Sequence, residues 1–375
     1  MKDSSAIKNI LNVSSGDIIG SVFSVIFWFY IAREISPSSY GEIHFFIGIA
    51  SLTSYITTIG TSNTLTVFTS KNNSIIHTLN SISLIFGGVS FVVLLLIFQQ
   101  IDIGFLIMAY IINFIGIGIT LGRKNYNKYT KLIISQKGLT LLLGLIFYYV
   151  FGEKAIIYAL ALSYIPFLSI ITEMSRLKID IKQIKQNFKF IFESYSIQLL
   201  AGFGGQIDKL LVVPILGFAI LGNYSLSLVI VNVLMILPNA VFKYLLPQEA
   251  SGEVNNQLKV IIFGFSTLIS IIGVISTPHI LPNLFPQFTE VVELIQIMIF
   301  AIIPQSISVM YEAKLLAREK SRMVLTSQLI GVISLILGMI MLGLAFGVLG
   351  LAISFIISVI LKTIFLIFIY TKNKF

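Results

Sequence analysis

The sequence predicts an all-α polytopic membrane protein of about twelve transmembrane helices in two six-helix lobes, and three observations carry that expectation. The 375 residues are 56% hydrophobic and 11% charged, with a mean hydropathy of +0.96, which leaves too little polar surface for a water-soluble globule. Apolar runs repeatedly exceed about 18 residues, enough to carry a helix at about 1.5 Å per residue across a hydrocarbon core of roughly 30 Å. The basic residues crowd onto one set of the connections between those runs.

Breaks at charged or Pro/Gly/Asn-rich points place the spans at 11–32, 43–68, 78–99, 103–121, 131–151, 155–173, 191–217, 219–242, 258–278, 290–313, 323–345 and 348–370. Between the third and fourth, only residues 99–102 interrupt the apolar run. With the N-terminus placed in the cytoplasm, the inner connections hold 20 of the 25 lysines and arginines. The outer ones hold Arg33 and Lys154, and Lys137, Lys209 and Lys362 fall inside spans. This positive-inside bias supports an even number of crossings and cytoplasmic termini, so most of the formal charge of +9 is topology and not a nucleic-acid surface. No short apolar segment with a small-residue cleavage site precedes the first span, so the N-terminus is expected to be retained.

The longest inner connection, residues 174–189, repeats Leu177, Ile181 and Ile184 at helical spacing among lysines, the pattern of an amphipathic helix on an anionic inner leaflet. It divides the chain into an N-terminal six-span lobe at 1–175, a basic linker at 176–189 and a C-terminal six-span lobe at 190–375. Transporters built from repeated halves have this arrangement and house their substrate where the halves meet. The halves share a faint echo: residues 33–41 and 216–224 are both short outer turns with glycine and tyrosine that lead directly into a span.

Enzyme signatures are missing. The chain has no cysteine, which excludes disulfides and thiolate chemistry, and its three histidines, His44, His77 and His279, are scattered. There is no HExxH, GxSxG or Walker pattern, so no catalytic residue, metal or cofactor is assigned. Gly202, Gly204 and Gly205 lie in an apolar span with no strand before them, which points to packing or flexing and not to a phosphate loop. The short outer connections leave no room for the extramembrane segment of a glycosyltransferase, polymerase or ligase. Without a nucleotide site, uphill transport would draw on an ion gradient of H+ or Na+ or on the membrane potential.

Charge at membrane depth costs at least about 2.5 kcal/mol on insertion scales, so each intramembrane ionisable group needs a reason. Residues 194–217 concentrate the question. Ser194, Gln198, Ala201, Gly202, Gly205, Asp208 and Lys209 project within about 120° of one another on a helix that is otherwise apolar. Either this face lines a water-accessible cavity, or Asp208 and Lys209 neutralise each other and the glycines serve close helix packing. Lys137 either snorkels to the inner surface or lines an anion-attracting cavity. Asp17 is a cavity acid able to couple an ion, or a residue at a helix start, and Arg33 lies at the outer end of the first span. Pro238 and Pro304, each beside a polar residue, are expected kink points for helices that bend during alternating access, with Gly202 and Gly205 as further hinges.

Three stretches carry a family likeness. Ala32-Arg33, Pro37 and Tyr40-Gly41 form the first; Asp208-Lys209, Gly217, Gly222, Tyr224 and Pro247 the second; Leu315 to Arg318 and Gly347 to Ala352 the third. In these the chain resembles the polysaccharide or O-antigen (Wzx-like) flippases of the MOP (multidrug/oligosaccharidyl-lipid/polysaccharide) exporter superfamily. It departs from them where residues 60–67 lack an arginine, so no cationic contact is carried onto the second helix, and where Pro286 and Phe288 replace a glycine and a tyrosine. The resemblance implies two lobes around a central cavity in a bacterial cytoplasmic (inner) membrane, opening alternately to either side. It implies a polyprenyl-diphosphate-linked oligosaccharide, a surface polysaccharide or O-antigen repeat unit, as cargo. Lys209, Lys137, Arg33 and Gln198 would face that cargo, and Asp208 and Asp17 would serve charge pairing or ion coupling. Membrane lipids and a polysaccharide polymerase or other assembly protein are the implied partners. An ion-coupled multidrug exporter of the same superfamily is the alternative, since Asp17 could serve a cationic drug, and a membrane enzyme of glycan assembly is the third reading.

Overall fold

The computed structural model describes residues 2–172, 179–235, 256–318 and 320–372, and every regular element among them is helical. In chain order these are α1 (Lys2–Glu34), α2 (Pro37–Thr57), α3 (Ser62–Ser70), α4 (Ile75–Phe98), α5 (Ile101–Gly122), α6 (Tyr126–Phe151), α7 (Ile156–Leu162) and α8 (Ile165–Thr172). They continue as α9 (Ile181–Leu234), α10 (Asn256–Leu284), α11 (Val291–Met298), α12 (Ile302–Ala317) and α13 (Ser321–Lys372). Nine stretches among the described residues are long and apolar enough to cross a membrane, or ten when the bent pair α2 and α3 is taken as one span.

Local chemistry sets the breaks. Between α1 and α2, Ser36 caps the new helix by accepting from the Ser39 backbone N–H at 3.2 Å, and Pro37 follows at the first helical position, where a missing N–H costs nothing. Between α2 and α3 the chain bends by 41°. Thr58 donates to the Ser54 carbonyl at 2.7 Å, and Thr61 caps α3 through the Thr64 N–H at 3.0 Å, so backbone groups freed by the bend stay satisfied.

Two helices are far longer than one crossing. α9 has 54 residues and α13 has 52, and at about 1.5 Å per residue each would be more than twice the roughly 30 Å of a hydrocarbon core. Each contains one residue with non-helical backbone: Gly217 at φ 85°, ψ 176° and Gly347 at φ 56°, ψ −127°. Positive φ is open to glycine at little cost, so these two residues are the corners. Pro214, three residues before the first, already weakens the helix by removing a donor.

Arg176 and Lys178 of the basic linker lie outside the described residues, and from Ile181 onward the stretch is the beginning of α9, continuous with residues 194–217. No proline interrupts residues 181–213, so nothing ends the helix at the membrane boundary.

By contacts the chain forms two compact units, one of residues 1–30 and 46–202, the other of residues 31–45 and 203–375. In the first, Gln136 donates to Thr140 Oγ1 and Ser163 Oγ, both at 3.0 Å, and Tyr30 and Tyr149 share a hydroxyl contact. In the second, Ser266 bonds Ser306 at 2.7 Å and Ser308 bonds Thr363 at 2.9 Å. Large apolar side chains such as Leu96 (74% exposed) and Met341 (69%) face outward, while the pairs made by Gln136, Ser266 and Ser308 sit inside. That inversion suits a lipid solvent, where polar groups must find partners within the protein.

Candidate functional site

α9 places Asp208 and Lys209 in the second unit, and they part company. Asp208 is 4% exposed; its Oδ2 accepts from the Tyr224 hydroxyl at 3.1 Å and its Oδ1 from the Lys209 backbone N–H at 2.8 Å. The half-buried Lys209 ammonium instead donates to Gln206 Oε1 at 2.6 Å. The two side chains therefore share no hydrogen bond, although each charge lies within electrostatic reach of the other. The reason is geometric: adjacent helical residues diverge by about 100°, so i and i+1 do not face each other, whereas 206 and 209 do. His44, its ring tilted against that of Tyr40 with centroids 4.5 Å apart near the start of α2, lies within electrostatic reach of Lys209.

In the first unit, α1 and α6 form a second polar seam. Tyr129 donates to Asp17 Oδ1 at 2.9 Å, and Thr130 donates to the Asn12 carbonyl at 2.8 Å. Two turns on from Tyr129, the stem of the half-buried Lys137 passes Gly20, where an added Cβ would lie 3.1 Å from Lys137 Cγ. The Lys137 ammonium has no hydrogen-bond or ionic partner among the described residues.

The remaining predicted residues are dispersed. Gln198 is half-buried on α9 in the first unit, its amide nitrogen without a partner among the described residues. Arg33 is exposed at the C-terminal end of α1, in the second unit. Gly202 and Gly205 are helical, and Gly202 packs against the ring of Tyr55. Pro304 stands near the start of α12, just after a 3-10 turn at Ile299–Ala301; as it lacks the N–H that would serve the carbonyl four residues back, the chain tightens there, and its own carbonyl accepts from Thr363 at 3.0 Å. Pro238 and Pro247 lie outside the described residues.

Sequence reading missed the tyrosine partners of both aspartates and a buried ion pair. Lys362 Nζ and Glu312 Oε1 are 2.8 Å apart, with side chains 10% and 13% exposed, and Gln328 donates to the same oxygen at 3.3 Å. A glutamate within an apolar span was the available signal, but nothing local links positions fifty residues apart. An apolar cavity of about 260 Å³ among α5, α6, α7 and α8, lined by Phe105, Met108, Phe147 and Leu168, contains none of the predicted residues. No cluster of three potential metal ligands occurs among the described residues.

No protein-family model and no curated protein matches the sequence. Solved structures do. An inward-facing multidrug resistance MATE family transporter of the MOP superfamily aligns with a TM-score of 0.72 at 15% identity, over 98% of both chains. The lipid II flippase MurJ, in an inward closed conformation, aligns at 0.71 and 16% identity, over 97% of this chain and 87% of the other. A MOP superfamily transporter from Pyrococcus furiosus, described as having a binding pocket of reverse polarity, aligns at 0.65 and 14% identity over 98% and 95%. The chain thus has the all-helical fold of MOP superfamily transporters and flippases.

Proposed function

We propose that this protein is a flippase that carries a polyprenyl-diphosphate-linked oligosaccharide, the repeat unit of a surface polysaccharide or O-antigen, across a bacterial cytoplasmic membrane by alternating access. Twelve crossings in two six-helix lobes, with both termini in the cytoplasm, would frame the path, α9 and α13 each contributing two. The observation that carries this reading is the state of the two intramembrane lysines. Lys209 donates to a neutral amide, with Asp208 within electrostatic reach but not hydrogen-bonded to its ammonium, and Lys137 has no hydrogen-bond or ionic partner among the described residues, so neither ammonium is closed into a hydrogen-bonded salt bridge with a carboxylate. A cation outside such a bridge at membrane depth is costly unless an anion visits it, and a diphosphate is such an anion.

A multidrug exporter of the same superfamily would want available carboxylates for cationic cargo. Asp208 is closed off by Tyr224, and Asp17 accepts from Tyr129. These acids suit positioning or coupling to H+ or Na+ better than drug binding, and the short outer connections in the sequence argue against a glycan-assembly enzyme. The test is a flipping assay in proteoliposomes with a fluorescent polyprenyl-diphosphate oligosaccharide. Wild-type protein should translocate the lipid and Lys209→Ala should lose at least about tenfold of the rate, since a charge-assisted contact amounts to roughly 1.5–3 kcal/mol. Full activity in Lys209→Ala, at equal abundance in the vesicles, rejects the role of this lysine.

A further inference from the structure

The end of the second unit where α12 and α13 terminate holds a group of side chains that transport through Lys209 and Lys137 does not use. Tyr311, Lys314 and Arg318 fall at i, i+3 and i+7 of the α12 face and its C-cap, and Tyr370 reaches them from the last turn of α13. The two tyrosine rings meet edge to face with centroids 5.3 Å apart. The Lys314 ammonium lies 4.7 Å from the Tyr311 centroid and 4.9 Å from that of Tyr370, so it sits in the wedge between both rings. Arg318 Cζ is 5.2 Å from the centroid of Tyr370. Two cations therefore converge on one ring.

From this geometry we infer a recognition site for a phosphate-bearing membrane amphiphile, formed by Lys314, Arg318 and the tyrosines Tyr311 and Tyr370. A helix C-terminus alone accounts for basic residues in the last turn, but not for two of them gathered about a single aromatic. Glu312, on the same helix, is committed to Lys362 at 2.8 Å. Arg318 is exposed, and its guanidinium, 5.2 Å from the Tyr370 centroid at Cζ, makes no side-chain hydrogen bond among the described residues. The fork matches two phosphate oxygens, the ammonium supplies a point charge and the phenols supply O–H donors. Depth agrees with the ligand class: the site lies where two apolar helices end, the level of lipid headgroups, with the exposed Phe368 one turn into the apolar part of α13. The inference stands whether or not the chain flips a glycolipid.

Two sources share this chemistry, an anionic glycerophospholipid and a polyprenyl diphosphate, and native mass spectrometry of the purified full chain separates them. The protein is titrated in turn with phosphatidylglycerol, a polyprenyl diphosphate and zwitterionic phosphatidylcholine. Wild-type protein should retain one or both anionic lipids at least tenfold more tightly than phosphatidylcholine. Lys314→Gln/Arg318→Gln should abolish that preference, Tyr370→Leu should weaken it, and Arg318→Lys should restore part of it. Preference for phosphatidylglycerol assigns a resident lipid, preference for the diphosphate assigns the headgroup of a prenyl-linked ligand, and either supports the site. Equal binding of all three lipids, or an unchanged preference in the double variant, overturns it. Should the double variant not be recovered folded, Arg318→Gln, at an exposed position, carries the same comparison alone.

Discussion

Gly41 and Gly222 each stand where the other's helix leaves no room for a side chain: a Cβ on Gly41 would strike the Phe218 carbonyl oxygen, and one on Gly222 would strike that of Pro37. The contact is reciprocal, because Pro37 and Phe218 each precede their glycine by four residues, one turn of α2 and one turn of α9 beyond its corner at Gly217. A Cβ on Gly41 would also lie 2.8 Å from the Gly222 nitrogen, so backbone meets backbone directly. Such close approach recovers dispersion and weak Cα–H···O contacts that larger residues would forfeit in lipid. Tyr40 and Tyr224, both fully buried, flank the crossing.

Gly41→Ala and Gly222→Ala should each destabilise the protein by about 1–3 kcal/mol, the usual cost of forcing a methyl group into a closed contact. Because they act on one crossing, the double variant should lose less than the sum of the singles. Thermal unfolding in a single detergent measures all three, and full additivity would show that the two sites are independent.

Much of this arrangement was legible in the sequence, though not its meaning. The echo between residues 33–41 and 216–224 marked two glycine turns, but periodicity reports which face a residue lies on and not which other turn it meets. That apolar helices cross repeatedly was readable because hydropathy is a local sum, and the corners at Gly217 and Gly347 because glycine is what such backbone requires. Asp208 and Lys209 mark the limit. Adjacency in sequence suggested a pair, while helical geometry sent one side chain to Tyr224 and the other to Gln206.

Tyr224→Phe should remove the hydroxyl donor from a carboxylate that is 4% exposed, leaving a buried acceptor short of a partner at a cost of about 1–3 kcal/mol. Asp208→Asn in the same background should recover most of that loss, because a neutral amide tolerates the missing donor better than a charge does. Comparing the three denaturation midpoints checks this, and a Tyr224→Phe protein as stable as wild type would mean that the hydrogen bond contributes nothing.

The Glu312–Lys362 pair follows the asymmetry of buried ion pairs. Lys362→Met alone strands a carboxylate and should cost about 3–5 kcal/mol, whereas Lys362→Met with Glu312→Gln should be close to neutral. Gln328 donates to the same Glu312 oxygen, so Gln328→Leu should aggravate the single variant more than the wild type. A double-mutant cycle in thermal stability reads both effects, and strictly additive losses would contradict a coupled pair.

Lys137 separates a structural charge from a transport charge. Its ammonium has no partner among the described residues, so Lys137→Met removes no hydrogen bond or ion pair, retains the stem that packs on Gly20, and relieves the cost of holding a cation among helices. Stability should therefore be unchanged or higher. If the lysine meets an anionic cargo, flipping by the same variant should fall about tenfold or more, because a charge-assisted contact of roughly 1.5–3 kcal/mol is lost. Unfolding temperature and translocation rate measured on one preparation should thus move independently or in opposite directions. A parallel fall in both would return Lys137 to a packing role and leave Lys209 to attract the diphosphate alone.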